Sequence, residues 1–388
     1  MDPDHKDAGR FQFSTAIFGM IVLTLGMGIG RFLYTPMLPV MLQEGRFTFS
    51  QLSLIASANY AGYLFGSLLF SFGLFSRLTH IKRMLLAVAV ITGILILLMA
   101  VVTVPEVVIL IRFMAGVASA GMMIFGAMLI LQHSHNAFVI ASLFSGVGVG
   151  IFIGNEYVIV GVAHMLSAKL LWIGASLISG VLLIFMFLLL PRDAHVQEPI
   201  TSSVKVEARI QWWQLALLYG LAGFGYIIVA TYLPVMVRGV GEAFLAEHIW
   251  SIVGLAVIPG CYGWLWAAAK WGALPCLSVN LIVQACCVVL AAMTHSPVLL
   301  TLSGIGFGAT FMGTSSLVMP LARKLKAPEK VNLLGLVTLT YGVGQILGPL
   351  MVGAFEHYGY SITGPTLLGA AALFVAAGMS HLQHRKTQ

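Results

Sequence analysis

Charge is what this sequence has least of. Of its 388 residues only 9% are Asp, Glu, Lys or Arg, while 59% are hydrophobic and the mean hydropathy is +0.99. A soluble globular domain carries about 25% charged residues, so the shortage excludes one and leaves an integral membrane protein. It also removes nucleic acid as a partner. A net charge of +7 would suggest one in a soluble chain, but here the basic residues sit in short connections between apolar segments. Cysteine is scarce too: Cys261, Cys276, Cys286 and Cys287 all fall within apolar segments without ligand spacing. They are expected to be small core residues, with no disulfide and no metal. A strand-borne phosphate loop is missing, which argues against a pump driven by nucleotide hydrolysis. HExxH and GxSxG are missing as well, which argues against an intramembrane enzyme. A long soluble extension, which would favour a receptor, is also lacking, and no cofactor is implied.

What is there instead is apolar length. A bilayer core needs about 20 apolar residues per helix, and twelve segments qualify: 13–42, 50–74, 83–103, 106–131, 137–162, 169–191, 211–237, 246–268, 273–294, 298–320, 331–354 and 362–381. The polar stretch MDPDHKDAGRFQF before them has no small-residue cleavage site, so the first segment is expected to remain as a helix. The polar run 192–210 reads as a cytoplasmic linker between two six-helix bundles, 1–191 and 211–388. With the N-terminus cytoplasmic, fifteen basic residues fall on that side: Lys6, Arg10, Arg77, Lys82, Arg83, Arg192, Lys205, Arg209, Lys270, Arg323, Lys324, Lys326, Lys330, Arg385 and Lys386. Only Arg46, Lys169 and Arg238 fall on the other. That asymmetry places both termini inside.

Two repeats support the division. GIGRFLYTPMLPVM, Gly28 to Met41, aligns without gaps on GFGYIIVATYLPVM, Gly223 to Met236, at an offset of 195, with Tyr226 on Arg31 and Pro234 on Pro39. The glycines of Gly148–Gly154 in segment five recur as Gly342–Gly348 in segment eleven at an offset of 194. Six-helix halves related by an axis along the membrane normal are a recurring transporter plan, with the substrate site between them near the midplane.

Three charged residues fall well inside the segments: Arg31, Arg112 and Glu156. Such residues face a cavity or one another, because lipid cannot solvate them. Counted inward, Arg112 and Glu156 share a level and could pair. A movement that parted them would change the proton affinity of Glu156, making it a proton carrier; a permanent structural pair is the plainer reading. Arg31 offers a fork of donors suited to a carboxylate or phosphate. Alternatively, it caps carbonyls freed by a kink at Pro36, or pairs with Glu156. Tyr34 shares its stretch. Asn59, Tyr60 and Tyr63 in segment two, Tyr219, Tyr226 and Tyr232 in segment seven, Asn280 and Gln284 in segment nine, and Tyr341 and Gln345 in segment eleven either line a cavity or bond between helices. The glycine runs are expected to pack helices closely. His133 and His135, without further ligands, read as cytoplasmic surface.

With these residues in view the chain resembles the major facilitator superfamily. Within it, the two matched stretches are similar to the YbfB/YjiJ-type family of bacterial proteins. Arg112-Phe-Met-Ala-Gly116 resembles the superfamily's arginine motif of segment four. The glycine runs resemble its antiporter motif, with Asn155 in place of a proline, and Gly73–Arg83 resembles its gating loop without the aspartate. The resemblance implies an all-α membrane protein of twelve transmembrane helices in two pseudo-symmetric bundles, in the bacterial inner membrane. It implies a cavity bordered by segments one, two, five, seven, eight and eleven, which favours Asn59 and Gln345 as cavity residues. The function expected is secondary transport of a small organic solute by a monomer, as proton-coupled efflux. Proton symport or uniport of an organic anion or other metabolite is the alternative. Arg31, Tyr34, Asn59, Tyr60, Tyr226, Tyr232 and Gln345 are expected to bind substrate, and Glu156 with Arg112 to couple protons.

Overall fold

The computed structural model describes residues 3–72, 78–191, 210–238, 241–326, 331–358 and 361–385. Residues 192–209 of the expected 192–210 linker, the start of the loop after segment two at 73–77, and several residues of the orientation argument (Arg77, Arg192, Lys205, Arg209, Lys330, Lys386) lie outside them. Among the described residues, twelve helical spans are long and apolar enough to cross a membrane, and each overlaps one expected segment.

Thirteen α-helices make these spans: α1 (Pro3–Leu23), α2 (Tyr34–Gln43), α3 (Phe49–Ser71), α4 (Leu78–Val101), α5 (Pro105–His133), α6 (Ala137–Ala163), α7 (Ala168–Leu188), α8 (Trp212–Arg238), α9 (Ala243–Trp271), α10 (Ala273–Met293), α11 (Pro297–Lys324), α12 (Leu333–His357) and α13 (Thr363–Arg385). There is one more helix than spans because the first span is interrupted. Between α1 and α2 the chain winds as a π-helix over Thr24–Phe32, the glycine-rich stretch that carries Arg31, and all nine residues are buried. Helix starts follow local chemistry. Thr48 and Gln51 form a reciprocal capping box at α3, Asn136 and Ser167 cap α6 and α7, and Pro105 and Pro297 open α5 and α11, where a missing N–H costs nothing.

Glycine decides how closely the helices approach. A Cβ on Gly28 would lie 2.4 Å from the Gly150 Cα, so the first span and α6 touch backbone to backbone. Thr24 Oγ1 donates to the Gly146 carbonyl at 2.9 Å beside this contact. The second repeat builds the same joint, with a Cβ on Gly344 lying 2.3 Å from the Gly220 carbonyl oxygen and 2.9 Å from the Gly223 carbonyl carbon. Gly148, on another face of α6, meets the Gly254 carbonyl of α9 across the two halves.

Within the halves α3 packs on α5, α1 on α6, α8 on α12 and α10 on α13; between them α6 lies along α9 and α3 along α12. Peripheral helices turn apolar side chains outward, as Leu177, Ile184 and Leu188 of α7 do, which suits lipid. Of the four cysteines, Cys261 and Cys276 are buried, but Cys286 is exposed and Cys287 half-buried. The expectation of four core residues therefore holds for only two, because Cys286 falls on the outward face of α10.

Candidate functional site

The π stretch sets the geometry of the centre. At its junction with α2 the backbone hydrogen-bond pattern changes, and Pro36 has no N–H to offer a carbonyl upstream. Arg112 of α5 fills that gap. Its Nη1 donates to the Gly30 carbonyl at 3.1 Å and its Nη2 to the Arg31 carbonyl at 3.2 Å, with the guanidinium 4.8 Å from the Tyr34 ring centroid. Tyr34 Oη donates to the Leu52 carbonyl, and Asn59 Nδ2 to the Arg112 carbonyl, at 2.8 and 3.0 Å. Tyr34, Asn59 and Arg112 thus brace the first span against α3 and α5.

Arg31, held by this frame, points to the interface between the halves. Its side chain is buried, 3% exposed, and Nη2 donates to Gln345 Oε1 of α12 at 2.8 Å. Gln345 Nε2 in turn donates to the Tyr226 hydroxyl of α8. The two residues matched by the sequence repeat, Arg31 and Tyr226, therefore meet through one amide. Aromatic rings enclose the cation: Tyr63, Tyr60 and Phe32 have centroids 4.3, 5.2 and 5.6 Å from the guanidinium carbon. Behind Tyr226 a stacked column continues through Tyr341 to Tyr219 on one side and to Phe311 and Phe307 on the other. Tyr60 Oη reaches Thr231 Oγ1 across the interface at 3.4 Å, and Tyr232 lies half-buried against the core.

Arg31 Nε and Nη1, and Arg112 Nε, have no hydrogen-bond partner among the described residues. The basic side chains found against carboxylates there, Arg46 with Glu44 and His248 with Glu156, do not include Arg31 or Arg112. Among the described residues, two buried cations are thus left without a carboxylate.

Glu156 does not pair with Arg112 or Arg31, contrary to expectation. Equal depth did not make α5 and α6 partners here, since α5 packs chiefly on α3 and α6 on α9. Glu156 Oε1 instead accepts from Ser251 Oγ and lies 2.8 Å from His248 Nδ1, both on α9. Neighbouring Asn155 Nδ2 donates to the Glu247 carbonyl at 3.0 Å and to Ser251 Oγ at 2.8 Å. His248 and Ser251 were not among the expected residues, since they are neither permanent charges nor the amides and phenols that stand out inside the segments. Their spacing of three in α9, facing an acid on α6, was the available signal. Tyr63, three residues after Tyr60, was likewise visible as the same helix face.

The remaining amides bond between helices: Asn280 Nδ2 donates to the Thr310 carbonyl, and Thr314 Oγ1 to Asn280 Oδ1 and Gln284 Oε1. His133 is not surface. It is 1% exposed, with Nδ1 2.9 Å from the Leu129 carbonyl one turn back. His135 is exposed; partial burial and then the nearby Arg323 and Lys324 push its pKa below the ordinary imidazole value. No group of three or more metal-ligating side chains occurs among the described residues.

Comparison with known proteins adds three findings. A family profile described as "Uncharacterised MFS-type transporter YbfB" matches residues 23–381. Curated protein sequences give no match. Among solved structures, the human organic anion transporter MFSD10 (TETRAN) is similar over 100% of both chains, with a TM-score of 0.67 at 13% identity. At that identity the likeness concerns the fold, twelve helices in the MFS arrangement.

Proposed function

The chain belongs to the YbfB-type family of MFS transporters, and from that premise we propose that it carries a small organic anion across the membrane by alternating access, exchanging it for protons in the direction of efflux. The observation behind this reading is the Arg31 guanidinium, buried between the halves with Nε and Nη1 lacking a hydrogen-bond partner among the described residues. A cation at membrane depth without a counter-charge is costly, and an anionic cargo supplies that charge. Tyr60, Tyr63 and Phe32 around it suit the apolar body of an amphipathic molecule. Gln345 and Tyr226 are the partners such a cargo would share or displace. A solved protein of the same fold is described as an organic anion transporter, which agrees with the proposal without carrying it.

In this reading Arg112, Tyr34 and Asn59 position Arg31 rather than touch cargo. The chain acts as a monomer in a bacterial inner membrane. Its halves, 1–191 and 211–388, joined by the 192–210 linker, move relative to each other with both termini cytoplasmic, an orientation supported by the excess of Lys and Arg on that side.

Thermal-shift measurements on purified protein test the cargo class, since a ligand at one hundred times its Kd stabilises the folded state by about 2.7 kcal/mol. Carboxylates and phosphates are expected to raise the unfolding temperature, and their neutral amide or ester isosteres are not. Ligands that bind should then move in proteoliposomes under an imposed pH gradient. Arg31→Lys removes the planar fork. Loss of one charge-assisted hydrogen bond, about 1.5–3 kcal/mol, weakens binding roughly 10- to 150-fold. Neutral isosteres that bind as well as the anions, or wild-type affinity in Arg31→Lys, would overturn the assignment. Transport indifferent to the pH gradient would replace exchange with uniport.

A further inference from the structure

We propose that Glu156 and His248 form a proton-binding latch that joins the halves at the end of the bundle away from the termini, and that protonation of Glu156 releases it. The proposal rests on the two-half fold and the geometry of this cluster, not on the nature of the cargo.

The latch is built from consecutive residues of α6 and one face of α9. Glu156 Oε1 takes the Ser251 hydroxyl and faces His248 Nδ1, while Asn155 reaches the Glu247 carbonyl and Ser251. Every one of these bonds crosses from the first six spans to the last six. The ring of Phe244 packs on His248 with centroids 4.5 Å apart, fixing the imidazole against Glu156. Asn155 and Ser251 are buried, but the Glu156 and His248 side chains keep 31% and 22% of their surface exposed, so water and protons reach the pair in the closed state.

An imidazole ordinarily changes charge near neutral pH, and a carboxylate about two units lower. Ionised Glu156 accepts the Ser251 hydroxyl and, when His248 carries a proton on Nδ1, the imidazole as well. Once protonated it loses its charge, so the Ser251 bond is no longer charge-assisted and the attraction to His248 falls. Parting of α6 from α9 at this end would leave the protonated acid facing water. Closure then requires that the proton leave, which ties the position of the halves to proton occupancy.

Other ionisable groups on the packed elements are committed elsewhere. Tyr157 bonds the Leu171 carbonyl, Tyr34 the Leu52 carbonyl and Tyr262 Ser142, and His164 lies beside the Val160 carbonyl. Arg31, Arg112 and Tyr226 belong to the centre described above, and Glu44 pairs with Arg46. Lys270 sits over Trp266, and Arg323 and Lys324 end α11, both at the opposite end of the bundle. Glu106, Lys169, Glu242 and Glu247 share the latch end and set its background field.

The test uses spin labels at Val162→Cys in α6 and Ala243→Cys in α9, both exposed at this end, in full-length protein whose four native cysteines are replaced by serine or alanine. Pulsed EPR distances are measured from pH 8 down to pH 4, a range that takes in ordinary carboxylate protonation. The expected result is a short distance at high pH that gives way to a longer one as pH falls. Glu156→Gln should hold the long distance at every pH. His248→Gln and Ser251→Ala, which remove partners of the ionised acid, should move the midpoint to higher pH. A distance indifferent to pH in the otherwise unaltered protein, a pH response that persists in Glu156→Gln, or partner substitutions that leave the midpoint in place would each overturn the latch. If Glu156→Gln fails to fold, the midpoint shift in the two partner variants decides the matter alone.

Discussion

Alanine at Gly28 would place a methyl carbon 2.4 Å from the Gly150 Cα, and alanine at Gly150 would place one 2.6 Å from the Gly28 Cα. Carbon atoms rest at about 3.5–4.0 Å, so the first span and α6 would have to part by about 1–1.5 Å in either variant. Overpacking of this kind costs about 1–3 kcal/mol. The same displacement stretches the Thr24–Gly146 hydrogen bond, worth about 0.6 kcal/mol between membrane helices. Alanine's better helix propensity returns up to about 1 kcal/mol. Each single variant should therefore lose roughly 1–3 kcal/mol. The double variant should lose much less than the sum, because one separation relieves both clashes; a coupling of about 0.5 kcal/mol or more is expected. Equilibrium unfolding in detergent measures these differences. Gly180→Ala serves as the control, since a Cβ there has no neighbouring atom within 4 Å. Wild-type stability in both singles, or additive losses in the double, would refute the backbone contact.

Gly148→Ala introduces the same methyl group between the halves rather than within one, 2.4 Å from the Gly254 carbonyl oxygen. It should leave each half folded but lengthen the α6–α9 EPR distance even at high pH, and an unchanged distance would show that the interface absorbs the methyl. Arg112→Lys keeps the charge but cannot serve the Gly30 and Arg31 carbonyls together. It should lower stability by about 1.5–3 kcal/mol, one charge-assisted bond, in the same unfolding assay, and a wild-type midpoint would remove its bracing role.

The twelve spans were legible because apolar length is a property of local sequence, and the repeat was legible because duplicated helices keep their glycines and Pro39/Pro234. The repeat matched Arg31 with Tyr226, but that the two meet, and through Gln345, is shown only by the structure. The π winding was not legible. Three glycines spaced by two announce close packing, but nothing in TLGMGIGRF specifies a wider helix, and Pro36 drew attention to a kink downstream of the real interruption. Partners of Glu156 were misassigned for a topological reason: helices consecutive in sequence need not be each other's main neighbours in this bundle, and depth along the membrane does not fix the direction a side chain faces. Asn155, noted only as a departure from a proline motif, is the residue that ties α6 to α9 beside the acid.

The Arg31–Gln345–Tyr226 bridge has a geometric consequence for any cargo. Positions related by an axis along the membrane normal lie at equal depth on opposite sides of it, and Arg31 and Tyr226 are such positions. A molecule with its anionic end at Arg31 and its flat body toward the Tyr226 column would therefore lie crosswise, parallel to the bilayer plane. Neither opening would meet one end of the molecule before the other, so the cargo need not tumble when access changes sides. One bound pose would serve for both entry and departure.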